Sequence, residues 1–367
     1  MARRRSPRLA PRPGLAVMGF VVALCLAAAG CSSAAAGSTT STAPVGSRGS
    51  ATSTTSTSTT TTTTLPLPVG VFGTNTGGSD SFLGRAERVK VVAVPEGLSS
   101  VPFPAAGTAA YHEVERLGFR QFGSGPDLLL IGGVDSSMTS WDPTFLSLLA
   151  KHYRVTLIDL PGTGYSSPVG SAPSLAGVAD LVAGLIWSLQ LVTPAVLGWG
   201  LGGDVALALA ARHPRSISSL VLVETPDLGP FEVLPAPEVR RLLSASWANP
   251  VSLSRLYFSA RYTAARDSFL TGIADVLPDS LTAQGRAVLF GLQRQAAEPG
   301  AADLLNSIKA PVLLVAGDRD RVVPPANTAR LASALPGSKV LHIAGGDYGV
   351  LFEHETETVT AIETFIG

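Results

Sequence analysis

The chain has 367 residues with 27 basic and 27 acidic side chains, a formal charge of zero, but the balance is uneven along its length. Five arginines (Arg3, Arg4, Arg5, Arg8 and Arg12) and no acidic residue precede Cys31, so residues beyond the leader carry 22 positive against 27 negative charges, a formal −5. That balance excludes a nucleic-acid partner read from charge. Only two cysteines occur, Cys25 and Cys31. With Cys25 inside the leader, the exported part is expected to have neither a disulfide nor a thiol nucleophile.

From the N-terminus, the arginine-rich start is followed by an apolar run from Gly14 to Ala29. It is shorter than the roughly 20 apolar residues a membrane-spanning helix requires, and is expected to be a signal peptide, residues 1–30. Its end, Ala27-Ala28-Ala29-Gly30 before Cys31, resembles a bacterial lipobox. Ala28 departs from that pattern, where leucine is more common. The resemblance implies lipidation of Cys31 and anchoring to the outer face of the cell membrane. Cleavage after Ala29 and secretion is the alternative.

Residues 31–64 are almost wholly Ser, Thr, Ala and Gly, with Arg48 as the single charge. Such a composition buries no core, and a disordered tether reaching roughly 30 Å from the anchor is expected. For residues 65–110, Arg88–Pro95 reads as a strand whose partner the flanking Gly, Ser and Pro leave undefined.

After Tyr111, short apolar runs alternate with amphipathic segments, the pattern of a mostly parallel sheet flanked by helices. Strands are predicted at Phe119–Phe122, Leu128–Ile131, Val155–Ile158, Ala195–Trp199, Leu220–Val223, Val312–Ala316 and Val340–Ile343. Helices are predicted at Thr144–Lys151, Ser174–Leu189, Gly202–Arg212, Ala326–Ala334 and Glu353–Phe365. Residues 226–308 read as helical pieces without a strand, a cap inserted above the sheet of a domain spanning 111–367.

Several motifs stand in a fixed order. Phe122-Gly-Ser-Gly-Pro126 leads into Leu128-Leu-Leu-Ile-Gly-Gly133, and Asp159-Leu-Pro-Gly-Thr-Gly-Tyr-Ser-Ser167 follows the next strand. Val196-Leu-Gly-Trp-Gly-Leu-Gly-Gly203 is followed by Arg212-His-Pro214. Gly317-Asp-Arg-Asp-Arg-Val-Val-Pro324 and Ala344-Gly-Gly-Asp-Tyr-Gly-Val-Leu-Phe-Glu353 complete the set. Over about 255 residues this resembles the α/β-hydrolase fold family.

The resemblance implies a catalytic triad and an oxyanion hole, and both are altered. In the family's G-x-S-x-G elbow, serine sits on a strained strand-to-helix turn between glycines. Here Gly198 and Gly202 flank Gly200, so the nucleophile position has no side chain. Glycine accepts positive φ without penalty, relieving roughly 1–3 kcal/mol of strain. The histidine position, five residues before Glu353, holds Tyr348. A phenol of pKa near 10 is a poor general base at neutral pH. Asp320 retains the acid position, where without histidine it is expected to cap a turn or bind a backbone N–H. Gly132 stands where many members carry histidine. Backbone N–H groups of Gly133, Val134 and Leu201 are the expected oxyanion donors.

No other residue fills the gap. Asp204 is explained as an acidic residue in a helix's first turn. His112, His152, His213, His342 and His354 read as structural. No cluster has metal-ligand spacing, no loop matches the phosphate-binding pattern, and no cofactor is implied. Two function classes stand. One is a surface-tethered, non-catalytic member that binds a small carbonyl or carboxylate ligand or a cell-envelope protein. The other is a hydrolase of esterase, peptidase or epoxide type, or a cofactor-free enzyme, working through a nonstandard site around Asp320 and Tyr348.

Overall fold

A computed structural model describes residues 69–71, 90–95, 114–134, 136–138, 140–164, 166, 174–246, 250–274 and 283–367. The expected signal peptide, Cys31, the tether and His112 lie outside the described residues.

Nine strands form one sheet: β1 (Val69–Val71), β2 (Lys90–Pro95), β3 (Val114–Gly123), β4 (Asp127–Ile131), β5 (Arg154–Ile158), β6 (Ala195–Trp199), β7 (Ser219–Val223), β8 (Val312–Gly317) and β9 (Lys339–Ile343). Their order is β1-β2-β3-β5-β4-β6-β7-β8-β9. From β5 onward every pairing is parallel, whereas β1, β2 and β3 add on antiparallel. The strand read at Arg88–Pro95 thus has two partners, with Val92 opposite Val69 on one side and Leu117 on the other. The same pairing lengthens the strand predicted at Phe119–Phe122, because Val114–Gly118 have β2 beside them.

Continuous apolar runs form the central strands because both faces are covered. Leu129 and Ile131 of β4 enter one core layer, with Val178, Leu185 and Leu207 of helices α2 (Leu175–Ser188) and α3 (Leu201–Arg212). Leu128 and Leu130 point the other way, since successive strand residues alternate. They meet Phe145 and Ile362 of α1 (Pro143–Leu149) and the C-terminal helix (Glu355–Ile366). Local signals set the helix starts: Asp142 Oδ1 accepts from Phe145 N at 2.8 Å, and Ser174 Oγ from Gly177 N at 2.9 Å.

Between β7 and β8 the described elements are helices: α4 (Pro237–Ser246), α5 (Pro250–Tyr257), α6 (Thr263–Ala274), α7 (Ala283–Ala296) and a 3₁₀ segment (Pro299–Ser307). After β8 come α8 (Ala326–Ala334), α9 (Val350–Glu353) and α10 (Glu355–Ile366). The helix predicted at Glu353–Phe365 is corrected to these last two pieces, because His354 leaves helical geometry at φ −138°. The helix predicted at Thr144–Lys151 ends at Leu149, where Ala150 closes it by donating its N–H back to the Leu146 carbonyl.

Candidate functional site

Parallel strands deliver their carboxyl ends to one edge of the sheet, the usual place for a ligand in open α/β folds. At that edge β6 ends on Trp199, and α3 begins at Leu201. Between them Gly200 has φ 55° and ψ −123°, a left-handed conformation that side chains rarely adopt. The turn is held by Gly200 N donating to Val223 O at 3.0 Å and Gly203 N to Gly200 O at 2.9 Å. Gly198 serves a different need, since a Cβ there would strike the Gly202 carbonyl and the Gly203 Cα. Strand and helix approach that closely only without side chains.

Tyr348 reaches the same point from the loop after β9. Its ring stacks on Trp199 at a centroid distance of 5.2 Å and lies 4.6 Å from Tyr257. Gly349 N donates to Tyr257 O at 3.0 Å and Asp347 N to Glu353 Oε2 at 3.0 Å, so the loop is tied on both sides of the tyrosine. The phenol is directed at the elbow. A Cβ on Gly200 would fall deep inside the contact radius of the Tyr348 hydroxyl, and one on Gly133 would lie 3.3 Å from it.

Asp320 is buried behind this surface. Its Oδ1 accepts from Val322 N at 2.7 Å and Val323 N at 2.9 Å, and its Oδ2 has no partner among the described residues. Burial pushes its carboxyl well above the usual range, against the pull of those two N–H groups.

Glu224 was missed by sequence reasoning. It follows β7 directly, holds a left-handed φ of 48° and is buried. Its Oε2 accepts from Trp199 Nε1 at 2.9 Å, while Oε1 has no partner among the described residues. Burial first, then the charge of Asp320, pushes the Glu224 carboxyl well up. Two carboxyl groups that repel each other in a desolvated space each disfavour the ionised form of the other. The available signal was position: an acidic residue directly after the apolar run Leu220–Val223 of a parallel strand lies at the ligand edge of the sheet.

Asp204 stands in the first turn of α3, as expected. Both its oxygens are buried without a partner among the described residues, and burial pushes its carboxyl well up.

The four described histidines stand away from the elbow. His213 closes α3 and meets Asp180 Oδ1 at 2.7 Å. His354 Nε2 lies 2.9 Å from the Tyr262 hydroxyl, and His152 lies 3.6 Å from Glu363. His342 is exposed on β9. Among the described residues no three His, Cys, Asp or Glu side chains are grouped to hold a metal, and no helix is long and apolar enough to cross a membrane.

A cavity of about 570 Å³ opens between the elbow and the cap. Val134, Gly200, Leu201 and Tyr348 line its floor, and Glu232, Arg240, Leu243, Phe290 and Arg294 lie on the cap side. Of the expected donors, Val134 and Leu201 border this space, whereas Gly133 packs behind it against Tyr348. Asp320 does not line it, although its neighbours Val322 and Val323 do. The Leu201 N–H belongs to the first turn of α3, which has no intrahelical acceptor to offer it. The floor can therefore hold a carbonyl or carboxylate oxygen with the Leu201 backbone N–H, beside the Tyr348 phenol.

Comparison with known proteins agrees with this architecture. A family model described as alpha/beta hydrolase fold matches residues 126–266, and one described as TAP-like protein matches residues 291–366. A pimeloyl-[acyl-carrier protein] methyl ester esterase of Aeromonas hydrophila is 30% identical over 255 residues, covering 67% of this chain and 98% of the relative. One of the same name from Xanthomonas campestris is 28% identical over 268 residues, covering 66% and 96%. Among solved structures, the esterase RhEst1 from Rhodococcus sp. ECU1013 superposes with a TM-score of 0.61 at 24% identity, over 69% of this chain and 94% of that one. A bromoperoxidase from Bacillus anthracis gives 0.60 at 21%, over 70% and 96%. With this extent of matching sequence and the sheet order seen here, the chain belongs to the α/β-hydrolase fold family.

Proposed function

We propose that this domain binds a small carbonyl- or carboxylate-bearing molecule over Gly200 without cleaving it. The observation that carries this reading is the Tyr348 hydroxyl lying where the side chain of residue 200 would be. The nucleophile position has no nucleophile, and the group occupying its space is a weak acid at neutral pH. In serine hydrolases, losing the serine or the histidine alone lowers kcat by roughly 10⁶. This chain has neither, while the Leu201 N–H remains at the cavity floor as a donor. Asp320 is then vestigial, turned to backbone N–H groups instead of an imidazole. The arginine-rich leader and Cys31 support a lipid-tethered placement on the outer face of the cell membrane, with secretion as the alternative.

Ester hydrolysis is the second reading. The curated relatives are named methyl ester esterases, and those names favour an enzyme over a binding protein. In that case the buried carboxyls Glu224 and Asp320, the phenol of Tyr348 and water would form a nonstandard site.

Assays of methyl and p-nitrophenyl esters on the purified protein decide between the two. Labelling by a serine-reactive phosphonate and the Gly200→Ser/Tyr348→His variant serve as controls. The binding reading expects saturable ligand binding, no turnover and no labelling of wild type. Turnover by wild type at ordinary enzyme rates, about 1–10³ s⁻¹, would end it, and loss of that turnover in Tyr348→Phe would support the enzymatic site.

A further inference from the structure

The cavity differs in chemistry between its two ends. At the elbow end the polar groups are uncharged at neutral pH: the Leu201 N–H and the phenols of Tyr348 and Tyr257. Along its length the wall is apolar, with Val134, Leu243, Val322 and Val323. At the cap end stand Arg240 of α4 and Arg294 of α7, on two helices separated by 36 residues of chain. Neither guanidinium has an acidic partner within 4 Å among the described residues. Among the described residues the one acidic side chain on the wall is Glu232. Burial and the charge of Asp227 both push its carboxyl upward, which weakens it as a counterion for the arginines.

Leu234 and Phe290 also line the cavity and remain 53% and 38% exposed. Large apolar side chains left open beside arginines that have no acidic partner among the described residues are what an amphiphile would cover: its chain takes the apolar surface and its head group the guanidinium donors. The volume, about 570 Å³, lies within the range of small-molecule sites.

Building on the ligand-binding reading, we infer that the cavity takes an anionic amphiphile. Its carboxylate or phosphate head meets Arg240 and Arg294 on the cap, and its apolar chain runs down the wall toward a carbonyl group held over Gly200. A neutral ester or ketone lacks the head group and binds through the apolar wall and the elbow donors alone. Arg240 and Arg294 are then the residues that set ligand class, separate from the elbow.

Isothermal titration of the purified protein with decanoate, decyl phosphate, methyl decanoate and 1-decanol, each below its micellar concentration, tests this. The expected result is binding of at least one anionic ligand at least about tenfold tighter than either neutral one, the scale of a charge-assisted hydrogen bond. That preference should shrink as salt is raised. Whether decanoate or decyl phosphate binds tighter identifies the head group. In the Arg240→Gln/Arg294→Gln variant the preference should vanish while methyl decanoate affinity stays within about twofold, which also reports that the pocket is intact. Arg240→Lys/Arg294→Lys should retain part of it. Equal binding of charged and neutral ligands would overturn the anionic assignment and leave the binding reading standing. A preference that survives the Gln variant would overturn the role of the two arginines. If none of the four ligands binds, this inference and the binding reading fall together.

Discussion

The hydroxyl of Tyr348 lies in the space that a side chain on Gly200 would occupy. The two positions are separated by 148 residues of chain and are sterically one unit. A serine at 200 and a tyrosine at 348 exclude each other in this conformation. The residue at either position is therefore constrained by the one at the other.

That linkage has a measurable consequence. Gly200→Ser alone is expected to lose about 2–4 kcal/mol, combining left-handed backbone strain with overpacking against the phenol. Tyr348→His in the same chain should restore the overpacking part, about 1–3 kcal/mol. Urea unfolding of the two single variants and the double variant gives the coupling directly. Additive effects would show that the phenol moves aside at little cost.

Gly198 separates packing from chemistry. Gly198→Ala places a methyl group against the backbone of Gly202 and Gly203, which no rotamer change can relieve. A loss of about 2–4 kcal/mol is expected. Because strand, turn and helix are all displaced, ligand affinity should fall with it. Unchanged stability in thermal unfolding would mean that β6 and α3 part easily.

Glu224 should tolerate an amide. Its carboxyl is held toward the protonated form by burial and by Asp320, so Glu224→Gln keeps an acceptor for Trp199 Nε1 and removes a titrating group. Stability at neutral pH should change by less than about 1 kcal/mol, whereas Glu224→Ala, which leaves the indole N–H buried and unpaired, should lose about 2–4 kcal/mol. Trp199 gives a fluorescence readout at the site itself. A large loss in Glu224→Gln would show that the ionised form is the one required.

Glu353 predicts a pH dependence. Burial, with the charge of Asp347 adding to it, raises its pKa from 4.5 to about 7, against the pull of N–H donors from Asp347 and Ser259. Below about 4.5 the group is protonated whether the chain is folded or not, and its contribution is fully present. As pH rises from there to about 7, the unfolded chain releases the proton first, so stability falls across that window and levels off above it. Glu353→Gln should flatten this part of the profile measured by urea unfolding at stepped pH. Since Glu353 accepts from Ser259 N at 3.4 Å on the cap side and from Asp347 N beside Tyr348, ligand affinity should follow the same window. An unchanged slope in the variant would assign the effect to the other buried carboxyls.

Local pattern made much of the fold legible. Ala195–Trp199 and Ala326–Ala334 have the predicted ends, because apolar runs and flanking turn residues act within a few positions of chain. The positions of Gly200, Asp320 and Tyr348 could be read because motif spacing fixes register. Other elements depended on distant partners: Val114–Gly118 is strand because β2 lies beside it, and the C-terminal helix breaks at His354, whose ring contacts Tyr262.

The sequence by itself determined that residue 200 carries no side chain, that residue 348 is a phenol, and that the chain alternates strands and helices in the order of an α/β hydrolase. Only the tertiary structure decided where the phenol points, that Glu224 stands beside Asp320, and that Arg240 and Arg294 face one cavity with Gly200. The reason is range. Backbone propensity and periodicity act over a few residues, whereas these relations arise where loops from separate strand ends and two cap helices converge, and no local pattern encodes that convergence.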